Sequence, residues 1–177
     1  FFIKASMKIL VTGGLGFIGS HTVVELLQKN YDVVIVDDLS NSSVDVLDSI
    51  EKIAGVKPEF EQFDLCDKNK LSDFFSRHKD IKAVIHFAAK KAVGESVQKP
   101  LKYYHNNTAK SRGLVAAAVA AGVPHVIFSS TAATYGIPEV SPVTEDSPRQ
   151  PINPYGMSKL MSEVMLADTA KPHAFNY

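Results

Sequence analysis

The 177-residue chain has no tryptophan and one cysteine, Cys66. A lone thiol cannot close an internal disulfide, which fits a reducing compartment and points to the cytoplasm. Neither sign of charge is in excess, with Lys plus Arg and Asp plus Glu at 19 each. That balance offers no footing for nucleic acid or an anionic membrane surface. No apolar run approaches bilayer length. No G-x-x-x-x-G-K-[ST] segment is present, which argues against an ATPase. No His, Cys or carboxylate spacing suggests a metal site. The opening Phe1-Phe2-Ile3-Lys4-Ala5-Ser6 is too short for a secretory signal, and Met7-Lys8-Ile9-Leu10 reads as a natural start. Residues 1–6 are expected to be an extension and residues 7–177 one domain. The apolar fraction of 45% is enough for a real core.

Short apolar runs alternate with helical patterns. Strands are expected at 9–11, 33–36, 60–63, 84–87 and 126–128. Helices are expected at 18–29, 43–54, 67–78, 101–121 and 153–168, the first burying Ile18, Thr22, Val23, Leu26 and Leu27. Gly122 and Pro124 close the long Ala-rich helix. Alternation of this kind builds right-handed βαβ units, hence an α/β fold with a doubly wound parallel sheet of Rossmann type. Five of the nine prolines, Pro138, Pro142, Pro148, Pro151 and Pro154, crowd one stretch. That stretch reads as an ordered loop arching over the mouth of the sheet, or equally as an exposed connector.

Gly13, Gly16 and Gly19 form G-x-x-G-x-x-G between the first strand and the first helix. Glycine lets the backbone approach a pyrophosphate, and the helix N-terminus offers free N–H groups to it. Asp37 ends the second strand, eighteen residues past Gly19. A carboxylate there accepts both hydroxyls of an adenosine ribose and repels a 2′-phosphate, which favours NAD over NADP. Asp38 beside it can be a turn aspartate. Asp64 is either a contact to the adenine or a helix N-cap.

Tyr155 and Lys159 lie four apart on one helix face. A free tyrosine has a pKa near ~10, and lowering it to neutrality needs about 4 kcal/mol of preference for phenolate. A partly desolvated ammonium beside a nicotinamide ring supplies energy of that order, and Tyr155 becomes a general base. Ser129-Ser130-Thr131 ends the fifth strand at the carboxyl edge, where open α/β sheets place ligands, and Thr131 is the candidate hydroxyl for the substrate oxygen. Small residues after Phe87, Ala88 and Ala89, let a cofactor lie close. Lys91 can meet a substrate phosphate or stay solvated. His86 reads as a core histidine.

With these residues in place, the chain resembles the N-terminal half of the UDP-glucose (UDP-galactose) 4-epimerases, in the extended short-chain dehydrogenase/reductase family. The matching stretches are VTGGLGFIGSHTVVELL, VIVDDLSNSS, VIHFAAKKAVGESVQKPLKYYHNN, VIFSSTAATYG and NPYGMSK. The resemblance implies an NAD site lined by Gly13, Gly16, Phe17, Ile18, Gly19, Asp37, Asn41, Asp64, Leu65, Phe87, Ala88, Ala89, Lys91, Asn106, Ser129, Tyr155 and Lys159. It implies Tyr155 as base, Lys159 as its partner and Thr131 as hydroxyl donor, with Lys91, Thr131 and Tyr155 meeting a UDP-sugar. The implied reaction interconverts UDP-glucose and UDP-galactose through a 4-keto sugar, a step of galactose metabolism, in a homodimer. Related 4,6-dehydratases carry Asp-Glu after the cluster threonine, whereas Ala132-Ala133 stands here and cannot act as acid or base. Family members are about twice this length on a two-domain prior. The C-terminal substrate domain is therefore expected to be missing, and the isolated chain to bind NAD weakly with little activity. Rival readings are a sugar-nucleotide decarboxylase or reductase of the same family, and a non-catalytic NAD-binding module.

Overall fold

The computed structural model describes residues 7–177; the expected extension at residues 1–6 lies outside them. Five strands form one parallel sheet: β1 (Lys8–Thr12), β2 (Asp32–Asp37), β3 (Glu59–Gln62), β4 (Ile81–His86) and β5 (His125–Phe128). Their order is β3-β2-β1-β4-β5. The chain winds outward from β1 through β2 to β3, then crosses back to β4 on the other side of β1. The reversal between β1 and β4 opens a crevice at the carboxyl ends of the strands. Register sets Leu10 beside Val34 and Val84, and Val11 beside Ile35 and Ile85.

Every residue of β1 is buried, because both faces of the sheet are covered. Side chains alternate across it. Leu10, Val34, Val84 and Val126 pack with Phe74, Leu114 and Leu166. These come from α3 (Lys68–Arg77), α6 (Lys110–Ala120) and α7 (Pro154–Ala170). Ile9, Val11, Ile35 and Ile85 face the opposite layer, with Val23, Leu27, Leu47 and Ile50. That layer is α1 (Phe17–Gln28) and α2 (Val46–Ala54). Each fully buried aliphatic side chain contributes roughly 1.5–3 kcal/mol.

The five expected strands are all present. Four expectations need correction. The buried face of α1 is Gly19, Val23 and Leu27, while Ile18 is 57% exposed, because the first turn faces the crevice rather than the core. The helix expected over 101–121 is three pieces: α5 (Pro100–Tyr103), a π-helical segment (Tyr104–Ala109) and α6. The wider turn lets the Asn107 side chain reach inward, where it bonds both backbone groups of Lys90. A short helix, α4 (Val93–Gln98), and a 3₁₀ turn (Ala132–Thr134) were not expected. The proline-rich stretch is largely exposed and does not roof the crevice, whose lining includes none of residues 137–154. It is held from outside, by Arg149 Nη1 donating to Glu163 Oε2 of α7 at 2.7 Å. Near the C-terminal end Phe175 is buried, and the Asn176 carbonyl accepts the Val126 N–H at 2.8 Å alongside β5.

The Gly19 position has no room for a side chain. A Cβ there would sit 2.2 Å from the Gly13 carbonyl oxygen. Gly94, in α4, has open space around it. Gly19→Ala is therefore expected to lower unfolding stability by about 2 kcal/mol. Gly94→Ala should leave it unchanged or raise it by up to about 1 kcal/mol. Urea melts of the two variants, side by side, check the contrast.

Candidate functional site

A cleft of about 340 Å³ lies at the carboxyl ends of β1, β2 and β4, walled by Gly13, Gly16, Asp37, Leu65, Phe87, Lys110 and others. Its floor is the turn between β1 and α1. Gly13 has φ +69°, and a Cβ there would meet the Ala88 nitrogen at 2.7 Å. The turn therefore nests against the exit of β4. Gly16 caps α1 without a side chain, so the first-turn N–H groups of Phe17, Ile18 and Gly19 have no preceding helical carbonyl to bond. Phe17 and Ile18 send their side chains outward, 78% and 57% exposed, and offer the site only backbone.

One corner of the cleft is rich in charge. Asp37 is buried; its Oδ2 accepts the Leu15 N–H, and its Oδ1 accepts the Leu39 N–H and the Ser42 hydroxyl. These bonds lock its rotamer against the glycine turn. Asp38 Oδ1 accepts the Ser40 N–H, as in an aspartate turn, and its Oδ2 accepts Lys110 Nζ at 2.9 Å. Asp64 Oδ1 takes the same ammonium at 2.9 Å. Burial pushes the Asp38 carboxyl up, but hydrogen bonds from Ser40 and Lys110 outweigh it and hold the pKa at about 2. Burial pulls Lys110 down, yet hydrogen bonds to Asp64 and Asp38 carry it above the ordinary lysine value. The N-cap of α3 is Asp67, which accepts from Asn69 and Lys70, so the N-cap role considered for Asp64 is corrected.

At the opposite corner stands α7. Asn153 caps it, accepting the Gly156 N–H at 2.8 Å. A Cβ on Gly156 would fall 2.5 Å from the Ala133 carbonyl oxygen, so the helix start lies hard against the 3₁₀ turn after β5. That contact brings the Tyr155 backbone beside the Thr131 turn. Thr131 Oγ1 accepts the Ala133 N–H at 3.2 Å, which orients the hydroxyl and leaves its proton available. Lys159 is 4% exposed; its Nζ donates to the Ser129 carbonyl at 2.7 Å and sits 4.6 Å above the Phe128 ring centroid. Burial pulls this ammonium down to about 8, with Glu163 opposing the shift. Tyr155 is half-buried and meets Tyr103 edge-on, at 6.5 Å between centroids. Tyr103 is committed elsewhere: its hydroxyl donates to Glu95 Oε2 at 3.0 Å, and burial and that carboxylate both raise its pKa.

His86 is a core histidine. Burial, then the Lys159 and Lys110 charges, push it down to about 3, so the ring is neutral. Ser111 Oγ donates to the Asn107 carbonyl, which assigns His86 Nε2–H as donor to Ser111 and Nδ1 as acceptor from Thr12.

Of the residues expected at the cofactor, Gly13, Gly16, Asp37, Asn41, Leu65, Phe87, Ala88, Ala89, Lys91 and Asn106 line the cleft. Phe17, Ile18 and Gly19 flank it at the head of α1. Asp64 stands behind Lys110. Ser129, Thr131, Tyr155 and Lys159 gather beside it around the exit of β5 and the start of α7. Lys91 is exposed. Lys110, Glu95 and Tyr103 also line the cleft and were not anticipated. Lys110 opens a helix whose next residues, Ser111 and Arg112, are also polar, so only a Glu and a Tyr eight residues apart stand as a signal. Among the described residues, no helix is long and apolar enough to cross a membrane, and no cluster of His, Cys, Asp or Glu could hold a metal ion.

Residues 9–177 match the model of the NAD dependent epimerase/dehydratase family. The chain belongs to that family. It is 51% identical over 162 residues to the UDP-glucose 4-epimerase of Bacillus subtilis (strain 168), covering 92% of this chain and 48% of that one. The chain thus spans about half the length of the curated relatives it matches. Its fold is similar to the UDP-Glc/GlcNAc 4-epimerase of Campylobacter jejuni, with TM-score 0.91 and 43% identity over 97% of this chain and 52% of that one. It is likewise similar to the Bifidobacterium longum UDP-glucose 4-epimerase solved with NAD+ and UDP, with TM-score 0.90, 44% identity and coverage of 94% and 50%.

In this epimerase/dehydratase chain, the buried Lys159 has a measurable signature. Its pKa is near 8 folded and near 10.5 unfolded. Between those values the unfolded chain holds more protons, so stability rises as pH rises through the window. Lys159→Met removes the titration. The wild type should gain about 3 kcal/mol on Lys159→Met between pH 8 and pH 10.5. Urea melts at the two pH values test it.

Proposed function

We propose that the full-length protein carrying this chain interconverts UDP-glucose and UDP-galactose, in the cytoplasm and as a homodimer, with residues 7–177 forming its NAD-binding domain. The observation that carries the reading is the setting of Lys159. A desolvated ammonium is anchored on the last carbonyl of the β5 exit, one helical turn from Tyr155 and next to an oriented Thr131 hydroxyl.

The cleft fits a dinucleotide. A backbone-only turn, which a Cβ at Gly13 would disrupt, faces the unbonded N–H groups of α1 and suits a pyrophosphate. Buried Asp37 lies 3.1 Å from the Leu15 nitrogen and lines the same cleft, where a ribose would follow the phosphates. Held by the Gly13–Gly16 turn and Asp37, bound NAD would supply the acceptor and donor for a hydride at sugar C4. Tyr155 removes the proton of the sugar 4-hydroxyl and gives it back when the 4-keto sugar is reduced. Lys159, with one proton on Ser129, has two more for the phenolate and a ribose hydroxyl. At pH 7 a group with a pKa of about 8 is charged about ten to one, so the cation is present when the phenolate forms. Thr131, fixed by the Ala133 N–H, donates its proton to the sugar oxygen. Exposed Lys91 on the cleft wall is placed for a UDP phosphate. Ala132 and Ala133 supply no acid, which favours epimerisation over loss of water.

Tyr155→Phe in the full-length protein should lower kcat on UDP-galactose at least about a hundredfold while NAD content stays at the wild-type level. Residues 1–177 alone should bind NAD weakly and turn over little. Undiminished turnover by Tyr155→Phe would refute the base assignment.

A further inference from the structure

The corner of the cleft beside Asp37 holds an arrangement that the reaction does not use. Lys110, the first residue of α6, is buried within the helix layer, and its side chain is 8% exposed. Its Nζ lies 2.9 Å from Asp38 Oδ2 and 2.9 Å from Asp64 Oδ1. The three residues come from three separate elements: the exits of β2 and β3, and a helix on the sheet face. Asp38 and Lys110 line the cleft, together with Ser40 and Asn41. Both oxygens of Asp38 are taken, one by the Ser40 N–H and one by Lys110. A buried ammonium shared by two carboxylates has its field cancelled where it stands; removing one carboxylate leaves a balanced pair, and removing the lysine leaves two carboxylates uncompensated.

On the reading that this cleft takes NAD, we propose that Lys110 is a specificity-determining residue, whose charge, captured by Asp38 and Asp64, is withheld from an adenosine 2′-phosphate. In dinucleotide folds an arginine near the ribose acid accommodates a 2′-phosphate, and a free lysine ammonium at this corner would offer the same charge. A lysine on the cleft wall would by itself invite NADP. The two aspartates convert that cation into an ion triad with one net negative charge, and Asp37 adds a second. The cofactor therefore meets a corner that accepts hydroxyls and repels a phosphate. Lys110 also ties the β2 and β3 exits together, which fixes the width of the corner for either cofactor.

The test uses the full-length protein, freed of nucleotide, and titration calorimetry with NAD and with NADP. Asp38→Asn keeps the Ser40 contact and releases part of the Lys110 charge. It should shift the NADP:NAD affinity ratio toward NADP at least tenfold. Adding Lys110→Met to Asp38→Asn should remove most of that gain, because the phosphate then has no cation to meet. Lys110→Met alone should weaken NAD at least tenfold, and Lys110→Arg should restore it to within about threefold. An unchanged ratio in Asp38→Asn overturns the proposal. So does a double variant that keeps the full gain, since lost repulsion alone would then explain it. A wild type that binds NAD with these outcomes leaves the functional reading standing. A folded wild type that binds neither dinucleotide overturns both.

Discussion

The site hangs on one buried amide. Asn107 is 1% exposed, and its side chain receives the Lys90 N–H and donates to the Lys90 carbonyl and to Ser158 Oγ. Lys90 belongs to the loop leaving β4, and Ser158 lies in α7, one residue before Lys159. The Ser158 hydroxyl in turn donates a hydrogen bond to the Tyr155 carbonyl. A single side chain thus ties the loop leaving β4, on the cleft wall, to the helix that carries the tyrosine. An unpaired buried amide is strongly unfavourable, so these bonds form together or not at all. The π-helical turn is what this requirement imposes on the backbone: a regular helix through 104–109 would direct Asn107 differently. From the Asn107 carbonyl, the chain of bonds continues through Ser111 and His86 to Thr12, so the exits of β1 and β4 are tied into the same network.

Two buried lysines stand at opposite ends of the cleft, and their surroundings divide their roles. Lys110 has two carboxylates within hydrogen-bond reach and stays firmly charged. Lys159 has a carbonyl, an aromatic face and a more distant Glu163, and burial brings it to about 8. A cation satisfied by carboxylates is inert toward a reacting group, because its field is already cancelled. A cation held by a neutral carbonyl keeps its field for whatever anion forms beside it. The same side chain therefore serves as wall in one corner and as electrostatic partner in the other.

Much of this was legible in the sequence wherever the chemistry is local. The glycine turn, Asp37 and the Tyr155–Lys159 pair each lie within one strand-turn-helix unit or one helical turn, so spacing alone places them. β1, β2 and β4 were legible because parallel strands buried on both faces read as largely apolar runs. What escaped was non-local. Lys110 finds Asp38 across 72 residues, and nothing in the Ala-rich stretch marks it as facing a cleft. The π-helical segment is dictated by the needs of Lys90 and Ser158, which lie outside the helix. The Ile18 error arose because an amphipathic pattern cannot distinguish a face toward the core from a first turn that points its side chains to solvent. The proline-rich stretch announced that it was irregular, but where an irregular segment lies is decided by its tethers, here Arg149 on Glu163.

The two alanines after Thr131 show fold and chemistry meeting in the same atoms. The Ala133 N–H orients the Thr131 hydroxyl, and the Ala133 carbonyl sits where α7 makes its closest approach, at Gly156. Substituting a carboxylate at this turn would introduce a charged group beside the Thr131 hydroxyl. It would also place that charge near Lys159 and compete for its field. A small apolar turn keeps the hydroxyl, the phenol and the ammonium as the polar groups converging from this side. Alanine at both positions offers no acid or base at the turn, so the titratable groups converging here are the phenol and the ammonium.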